Sequence, residues 1–382
     1  MSEHPAAAHH RSLPFRRVVL KVGTNLLTAG TEQLDLEVMA GLVGQIARLR
    51  QRGVEVVLVS SGAVAAGRHR LHQAVDRPDL PLRQVWAAVG QSLLMDAYDQ
   101  LFRWHDVTIA QALLTRSDLQ NRVSYLNARN TFLGLLALGA VPIVNENDVV
   151  AVDELADVRI GDNDTLSALV AGLVEADVLV LLTDIDGLYS ADPRRHPNAE
   201  LIPLVERIDA TIEGLAGGTT SSRAIGGMVT KIQAAKLATA AGVAVVIVNG
   251  QTPDVLARLA AGEALGTLFA PADTRMESRK RWMLAGLTRR GAVTVDQGAV
   301  VALRNRNSSL LPAGISGVQG EFRRGDIVAV NDTEGRPVAY GIMNYDSDDL
   351  SKLCGVHSGH ITDVLGHHYG DEAVHRDNLA LL

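Results

Sequence analysis

With 382 residues, 47% of them hydrophobic and 21% charged, the chain is long and apolar enough to bury the cores of two or three domains, and its single cysteine, Cys354, excludes an internal disulfide and a cysteine-built metal cage. A net charge of −7 gives the whole molecule no electrostatic reason to coat nucleic acid or an anionic membrane. Aromatics at 4% leave Ala, Val, Leu and Ile to fill the core, a composition that suits strand–helix layering.

Residues 1–14 are rich in Ala and His and lack an apolar central run, so they read as a disordered tail rather than a signal peptide. No apolar stretch reaches the length of a membrane span, and a cytoplasmic location is the expectation. Arg17 to Val22 predicts a strand. Leu36, Met39, Val43, Ile46 and Leu49 mark one face of a helix that Gly53 ends, and Val54 to Val59 is an apolar strand running into Ser60-Ser61-Gly62. A helix over Pro81 to Trp104, a strand over Val107 to Leu113 and a helix over Val123 to Leu138 follow. A short strand, Val141 to Val144, enters Asn145-Glu146-Asn147-Asp148. Then come a helix opening at Asp164, a strand over Val178 to Leu182, a helix over Lys231 to Ala241 and a strand over Val243 to Val248.

The pattern changes after Pro271. Arg275 to Trp282 is a charged connector, and beyond it short strands are expected at Ala292 to Asp296, Val300 to Arg304, Asp326 to Asn331 and Val338 to Ile342, with a helical piece near Asp348 to Leu353. The domain division is therefore 1–14 tail, 15–270 first domain, 271–288 linker, 289–371 small β-rich domain and 372–382 C-terminal tail. The first domain is expected to fold without the second.

Strands apolar on both faces and separated by helices imply an α/β fold: an open, mostly parallel sheet sandwiched by helices. Ligands of such sheets sit beyond the carboxyl ends of the strands, where the polar clusters of this chain fall. Lys21 ends the first strand ahead of Gly23, either an ordinary strand end or a phosphate contact. Asn145 to Asp148 and Gly161-Asp162-Asn163-Asp164 gather carboxylates and carboxamides, which suits a small, polar, amine-bearing substrate. Asp164 reads equally as a helix N-cap. Gly226-Gly227 leads into a helix start carrying Lys231, either a plain loop or a phosphate seat. Neither a Walker A motif nor GxGxxG occurs, and the acidic clusters lack EF-hand spacing. No histidine-based general base stands out. A side-chain carboxylate, with a pKa of about 4.3, is ionised at neutral pH and attacks a phosphoryl group without one. What it needs is positioning and cations.

Taken together the motifs resemble the glutamate 5-kinases of the amino acid kinase family. KVGTNLLT (Lys21 to Thr28), VSSGAVAAG (Val59 to Gly67), AAVGQ (Ala87 to Gln91), LLTRSD (Leu113 to Asp118), YLNARNT (Tyr125 to Thr131), PIVNEND (Pro142 to Asp148), GDND (Gly161 to Asp164), LLTDIDGLYSADPR (Leu181 to Arg194) and GGMVTKIQAA (Gly226 to Ala235) carry the resemblance. VDQGA (Val295 to Ala299), SSLLPAGI (Ser308 to Ile315) and RRGD (Arg323 to Asp326) resemble the PUA domain that follows many bacterial members.

The resemblance implies that Lys21 and Lys231 contact the transferring phosphoryl group and that Ser61, Asp148 and Asn163 hold L-glutamate, Asp148 pairing with its α-ammonium. Asn145 would support that loop, and Asp164 would hold the two lysines in place. Thr183 and Asp184, with Ile225, Gly226, Gly227, Met228, Val229, Thr230 and Lys231, would line the ATP site. Mg²⁺ would arrive on ATP rather than on a protein motif. The product would feed proline synthesis, with proline as feedback inhibitor, and the enzyme would be a homo-oligomer away from membranes. Two positions depart from the family pattern: Ala224-Ile225 stands where Gly-Thr is usual, and Asn307 where glycine is usual. Another amino acid kinase, acting on a related carboxylate, shares the two-lysine arrangement. An RNA-binding role through Arg304, Arg306, Arg323 and Arg324 of the PUA-like segment is the rival from another class.

Overall fold

The computed structural model describes residues 15–72, 75, 79–151, 163–193, 195–217, 227–271, 291–306 and 308–382. The described residues form two compact units: those within 15–119 and 131–271, and those within 120–130 and 291–382.

The first unit is built on an eight-stranded sheet: β1 (Arg17–Val22), β2 (Glu55–Ser60), β3 (Ile109–Leu114), β4 (Val141–Glu146), β5 (Val178–Thr183), β6 (Leu204–Val205), β7 (Ala244–Asn249) and β8 (Thr267–Phe269). The order is β3-β4-β2-β1-β5-β7-β8-β6, parallel throughout except for β7 against β8. Parallel pairing requires a crossover between neighbours, and the crossovers are the helices expected from the period of the apolar residues. All six residues of β5 are buried, as a central strand covered on both faces demands.

The helices that position the site are α1 (Leu36–Gln51), α2 (Ala63–Arg70), α3 (Leu80–Arg103), α4 (Arg122–Ala137), α5 (Asn163–Leu173) and α6 (Met228–Ala240). Asp35 caps α1 by accepting from the amides of Glu37 and Val38. Met39, Val43, Ile46 and Leu49 of α1 lie in the core with β1 and β2, whereas Leu36, in its first turn, is 58% exposed. Helix α2 is absent from the sequence reading, which took the small residues after Ser60 for a loop. It packs on α3 with backbones in contact: a Cβ on Gly67 would stand 1.8 Å from the Trp86 carbonyl oxygen, and one on Gly90 1.7 Å from that of Ala63. This crossing fixes the turn Ser60-Ser61-Gly62, whose Gly62 takes φ +103°, a left-handed conformation that glycine adopts at little cost.

The second unit contains the sheet β10-β9-β11-β12-β13, formed by β9 (Ala292–Val295), β10 (Ile315–Gln319), β11 (Ile327–Asn331), β12 (Pro337–Ile342) and β13 (Leu379–Leu381). Three expectations need correction here. Val300 to Arg304 is no strand but part of helix α7 (Gln297–Arg306). Asp296 accepts from the amide of Ala299, and Val300 and Leu303, one turn apart, are the buried pair. The segment 372–382, read as a tail, supplies β13, which pairs with β12 from Ala339↔Leu381 to Gly341↔Leu379. Finally, residues 120–130, read as part of the first domain, group with the second unit. Leu126 is fully buried with Ile327, Tyr340, Ile342 and Ala380. Asn127 accepts from the Arg324 guanidinium at 2.7 Å, and Asn130 donates to the Tyr369 carbonyl at 3.4 Å. The polar residues of YLNARNT thus serve this unit's packing.

Candidate active site

Strands β4, β2, β1, β5 and β7 run parallel, so their carboxyl ends share one edge of the sheet. Register sets Val22 beside Ser60 on one side and Leu182 on the other, so Lys21, Ser60-Ser61 and Thr183 emerge as neighbours. Helix α5 starts at the same edge and places two consecutive side chains there. About 100° of helical turn separates successive residues, so Asn163 and Asp164 face different partners.

Asp164 faces cations. Its Oδ1 stands 2.5 Å from Lys21 Nζ, and its Oδ2 stands 3.2 Å from Lys231 Nζ and 2.8 Å from the Thr230 hydroxyl. Asp164 is wholly buried, and Lys21 and Lys231 are only 4% and 6% exposed. Burial pushes the Asp164 carboxyl up. The charges of Lys21 and Lys231 and the hydrogen bonds from Lys21 and Thr230 outweigh it, and the group settles at about 2. The carboxylate is therefore ionised at any physiological pH. Two ammonium groups thus converge on one carboxylate in a dry site, where charges interact strongly. Asp164 is no N-cap: its side chain looks across to β1 and α6.

Helix α6 begins at Gly227, which caps without a side-chain hydrogen bond. Its first amides have no acceptor within the helix and point toward the end that carries Thr230 and Lys231. Gly23 lies under the other cation: a Cβ there would meet Lys21 Nζ at 3.7 Å.

Asn163 faces neutral oxygens. Its Nδ2 lies 3.0 Å from Ser61 Oγ, 3.0 Å from Asn145 Oδ1 and 3.4 Å from the Ser60 carbonyl. Asn145, at the end of β4, donates from Nδ2 to Gln91 Oε1 at 2.8 Å. Asn163 Oδ1 is buried and has no hydrogen-bond partner among the described residues. A buried acceptor without a donor is costly, so this atom calls for a ligand. Asp148 sits half-buried in the turn after β4, three residues beyond Asn145. Below the network the Ser60 hydroxyl is 2.9 Å from that of Tyr98, whose pKa burial raises.

The loop after β5 completes the edge. Thr183 donates to Asp184 at 3.1 Å, and Asn249, at the end of β7, donates to Asp186 at 3.0 Å. Sequence reasoning overlooked Gln91 and Asn249. Gln91 stands in the quoted AAVGQ motif, but nothing in that motif shows its contact with Asn145. Ile225 and Gly226, with Ala224, lie outside the described residues. Gly227, Met228 and Val229 open α6 beside Thr230 and Lys231. Among the described residues no group of three or more His, Cys, Asp or Glu is placed to hold a metal ion. No described helix is long and apolar enough to cross a membrane. Of the four arginines considered for RNA, Arg324 is engaged within its own unit, stacked 4.2 Å over the Tyr369 ring.

This sheet edge, with two lysines joined by one carboxylate, accompanies a match of residues 16–249 to the amino acid kinase family. A glutamate 5-kinase of Dehalococcoides mccartyi is 52% identical over 368 residues, which is 96% of this chain and 99% of the relative. The chain belongs to the glutamate 5-kinase branch of the amino acid kinase family. A glutamate 5-kinase of Deinococcus radiodurans is 51% identical, covering 96% of this chain and 100% of its own. Residues 291–365 match the PUA domain and contain four of the second sheet's five strands, all but β13. Among solved structures, a UMP kinase from Bacillus anthracis superposes with a TM-score of 0.47 at 16% identity, over 68% of this chain and 98% of its own. An isopentenyl phosphate kinase superposes with a TM-score of 0.46 at 18% identity, over 66% and 100% respectively.

Proposed function

We propose that this chain transfers the γ-phosphoryl group of ATP to the side-chain carboxylate of L-glutamate, giving L-glutamyl 5-phosphate and ADP. The observation that supports it most is the adjacency of Asn163 and Asp164 on one helical turn. It puts the Lys21–Asp164–Lys231 cluster directly beside a buried acceptor suited to an amine. The names of relatives at about half identity over nearly the whole chain point the same way.

In this reading an oxygen of the ionised carboxylate attacks the γ-phosphorus, the bond from that phosphorus to the bridging oxygen breaks, and ADP leaves with the electron pair. No proton moves, so no general base is required. Lys21 and Lys231 offset repulsion between carboxylate and phosphoryl group and stabilise charge spreading over the phosphoryl oxygens. Asp164 keeps both ammonium groups converged before substrates arrive. Asn163, Ser61 and Asp148 hold the amino acid end, and Asn145 braces them. Thr183, Asp184 and the start of α6 line the nucleotide side. Mg²⁺ would ride on the ATP phosphates and neutralise part of their charge. As the family resemblance implies, the product enters proline synthesis, proline is the feedback inhibitor, and the enzyme is a cytoplasmic homo-oligomer.

An ATP-dependent hydroxamate assay across L-glutamate, L-aspartate and N-acetyl-L-glutamate tests the reading, because hydroxylamine traps an acyl phosphate of any of these acids. Glutamyl hydroxamate with stoichiometric ADP is expected. A clear preference for either of the other acids overturns the substrate assignment.

A further inference from the structure

The amide groups beside the lysines form a chain with a direction. At its fixed end, the Ser60 carbonyl and Asn145 Oδ1 both face Asn163 Nδ2. Neither oxygen carries a proton, so the side of Asn163 turned to them must be its NH₂. Asn145 Oδ1 also accepts from the backbone amide of Glu146 at 2.9 Å, which holds that oxygen on one side and turns Asn145 Nδ2 to the other. There the acceptor is Gln91 Oε1, at 2.8 Å. The relay reads Asn163 to Asn145 to Gln91, donor to acceptor at every step. It leaves Asn163 Oδ1 as a buried acceptor with no donor among the described residues.

Asn145 is 3% exposed, so water is poorly placed to replace Gln91 as the acceptor for its Nδ2. Gln91 follows Gly90, and the backbone contact between α2 and α3 at Gly90 holds its place against the Ser60-Ser61-Gly62 turn.

We propose that Gln91 is a positioning residue for the amine of the substrate. By accepting from Asn145 Nδ2 it holds Asn145 in the orientation that the Glu146 amide and the Ser60 carbonyl dictate, so that Asn163 keeps an oxygen rather than an NH₂ group turned to the ligand. An oxygen accepts a hydrogen bond from an ammonium; an NH₂ group would repel it. The inference rests on the reading of this edge as an amino acid site, and it adds selection for an amine-bearing acid over the same dicarboxylate without the amine.

Steady-state kinetics of Gln91→Leu and Gln91→Glu with L-glutamate and with glutarate, which lacks the amine, test the relay. Leucine removes the acceptor and leaves a buried donor unpaired, so the glutamate KM should rise about tenfold or more and the glutamate-over-glutarate preference should fall by a similar factor. The kcat and the ATP KM should stay within about threefold, because the lysine cluster is untouched. Gln91→Glu still accepts from Asn145 Nδ2 and should recover the wild-type preference to within about threefold. A purely structural role would lower stability and leave the preference where it is. Should Gln91→Leu fail to fold, Gln91→Met, equally without an acceptor and more flexible, is read the same way. An unchanged preference in the acceptor-free variant, or equal loss in that variant and Gln91→Glu, overturns the relay. A wild-type enzyme that forms no glutamyl hydroxamate overturns the functional reading itself, an outcome visible before any variant is made.

Discussion

Two groups of side chains, one residue apart on the chain, solve different problems at the edge of the same sheet. Around Asp164 everything is charged: two buried ammonium groups converge on one carboxylate. Around Asn163 the contacts are neutral: two amides and a hydroxyl meet through hydrogen bonds that each have a direction. A group in transfer develops charge, and fixed cations in a water-poor place stabilise it strongly. Recognition of an amino acid depends instead on which acceptor faces which donor, and neutral amides supply that with little unpaired charge to bury. Helix α5 joins the two tasks, because consecutive residues in its first turn point about 100° apart.

The largest effect should come from the charged side. Lys21→Ala and Lys231→Ala each remove a cation from the proposed phosphoryl seat, and kcat should fall about 100-fold or more with a much smaller change in glutamate KM. Measured kcat near wild type in both variants would break the division of labour between the two groups.

A somewhat smaller effect is expected on the recognition side. Asp148→Asn keeps shape and an acceptor but loses the charge proposed to face the ammonium of glutamate, at a cost of roughly 2–5 kcal/mol. The glutamate KM should rise at least about 30-fold, the ATP KM should hold, and the preference over glutarate should collapse. If Asp148 only braces its turn, stability drops and the preference survives.

The smallest effect separates the two groups by pH. Asp164 has a folded pKa of about 2 against an ordinary 3.8. A depressed carboxyl contributes stability above its unfolded pKa and loses it as pH falls through the folded one. Its contribution, roughly 2 kcal/mol, is therefore complete above about pH 4 and fades toward pH 2. Asp164→Asn should be less stable than wild type at pH 7, and the gap should close across that acid window in denaturant titrations. A gap independent of pH would show that the carboxylate acts by packing alone. Variants in the neutral network, such as Gln91→Leu, should show no such window.

The parallel sheet was legible in advance because a strand buried on both faces must be written as an unbroken apolar run, as in Val178 to Leu182. Lys21 and Asn145 were legible because polar residues that end such runs gather at one edge, and Asn163 and Lys231 because polar residues open helices there. The position of Val300 and Leu303 was misread because a four-residue apolar run fits a strand or a helix turn until the cap at Asp296 is seen. Residues 120–130 lie within the stretch that matches the kinase family, yet they pack with the second unit, and this was hidden for a different reason. Their apolar face, with Leu126 at its centre, predicts burial but does not say against what, and the partners lie some 200 residues later in Ile327 and Tyr340.

The sequence by itself determined the alternation of the main strands and helices of the first unit, the sheet edge where polar residues gather, and their types, because burial and chain connectivity are written as local patterns. The tertiary structure alone decided that Asp164 bridges two lysines instead of capping its helix, that Gln91 ends an amide relay, and that residues 120–130 belong with the second sheet. Each is a contact between segments far apart in the chain, and its geometry is set by how helices seat on the sheet and on one another, which no local pattern encodes.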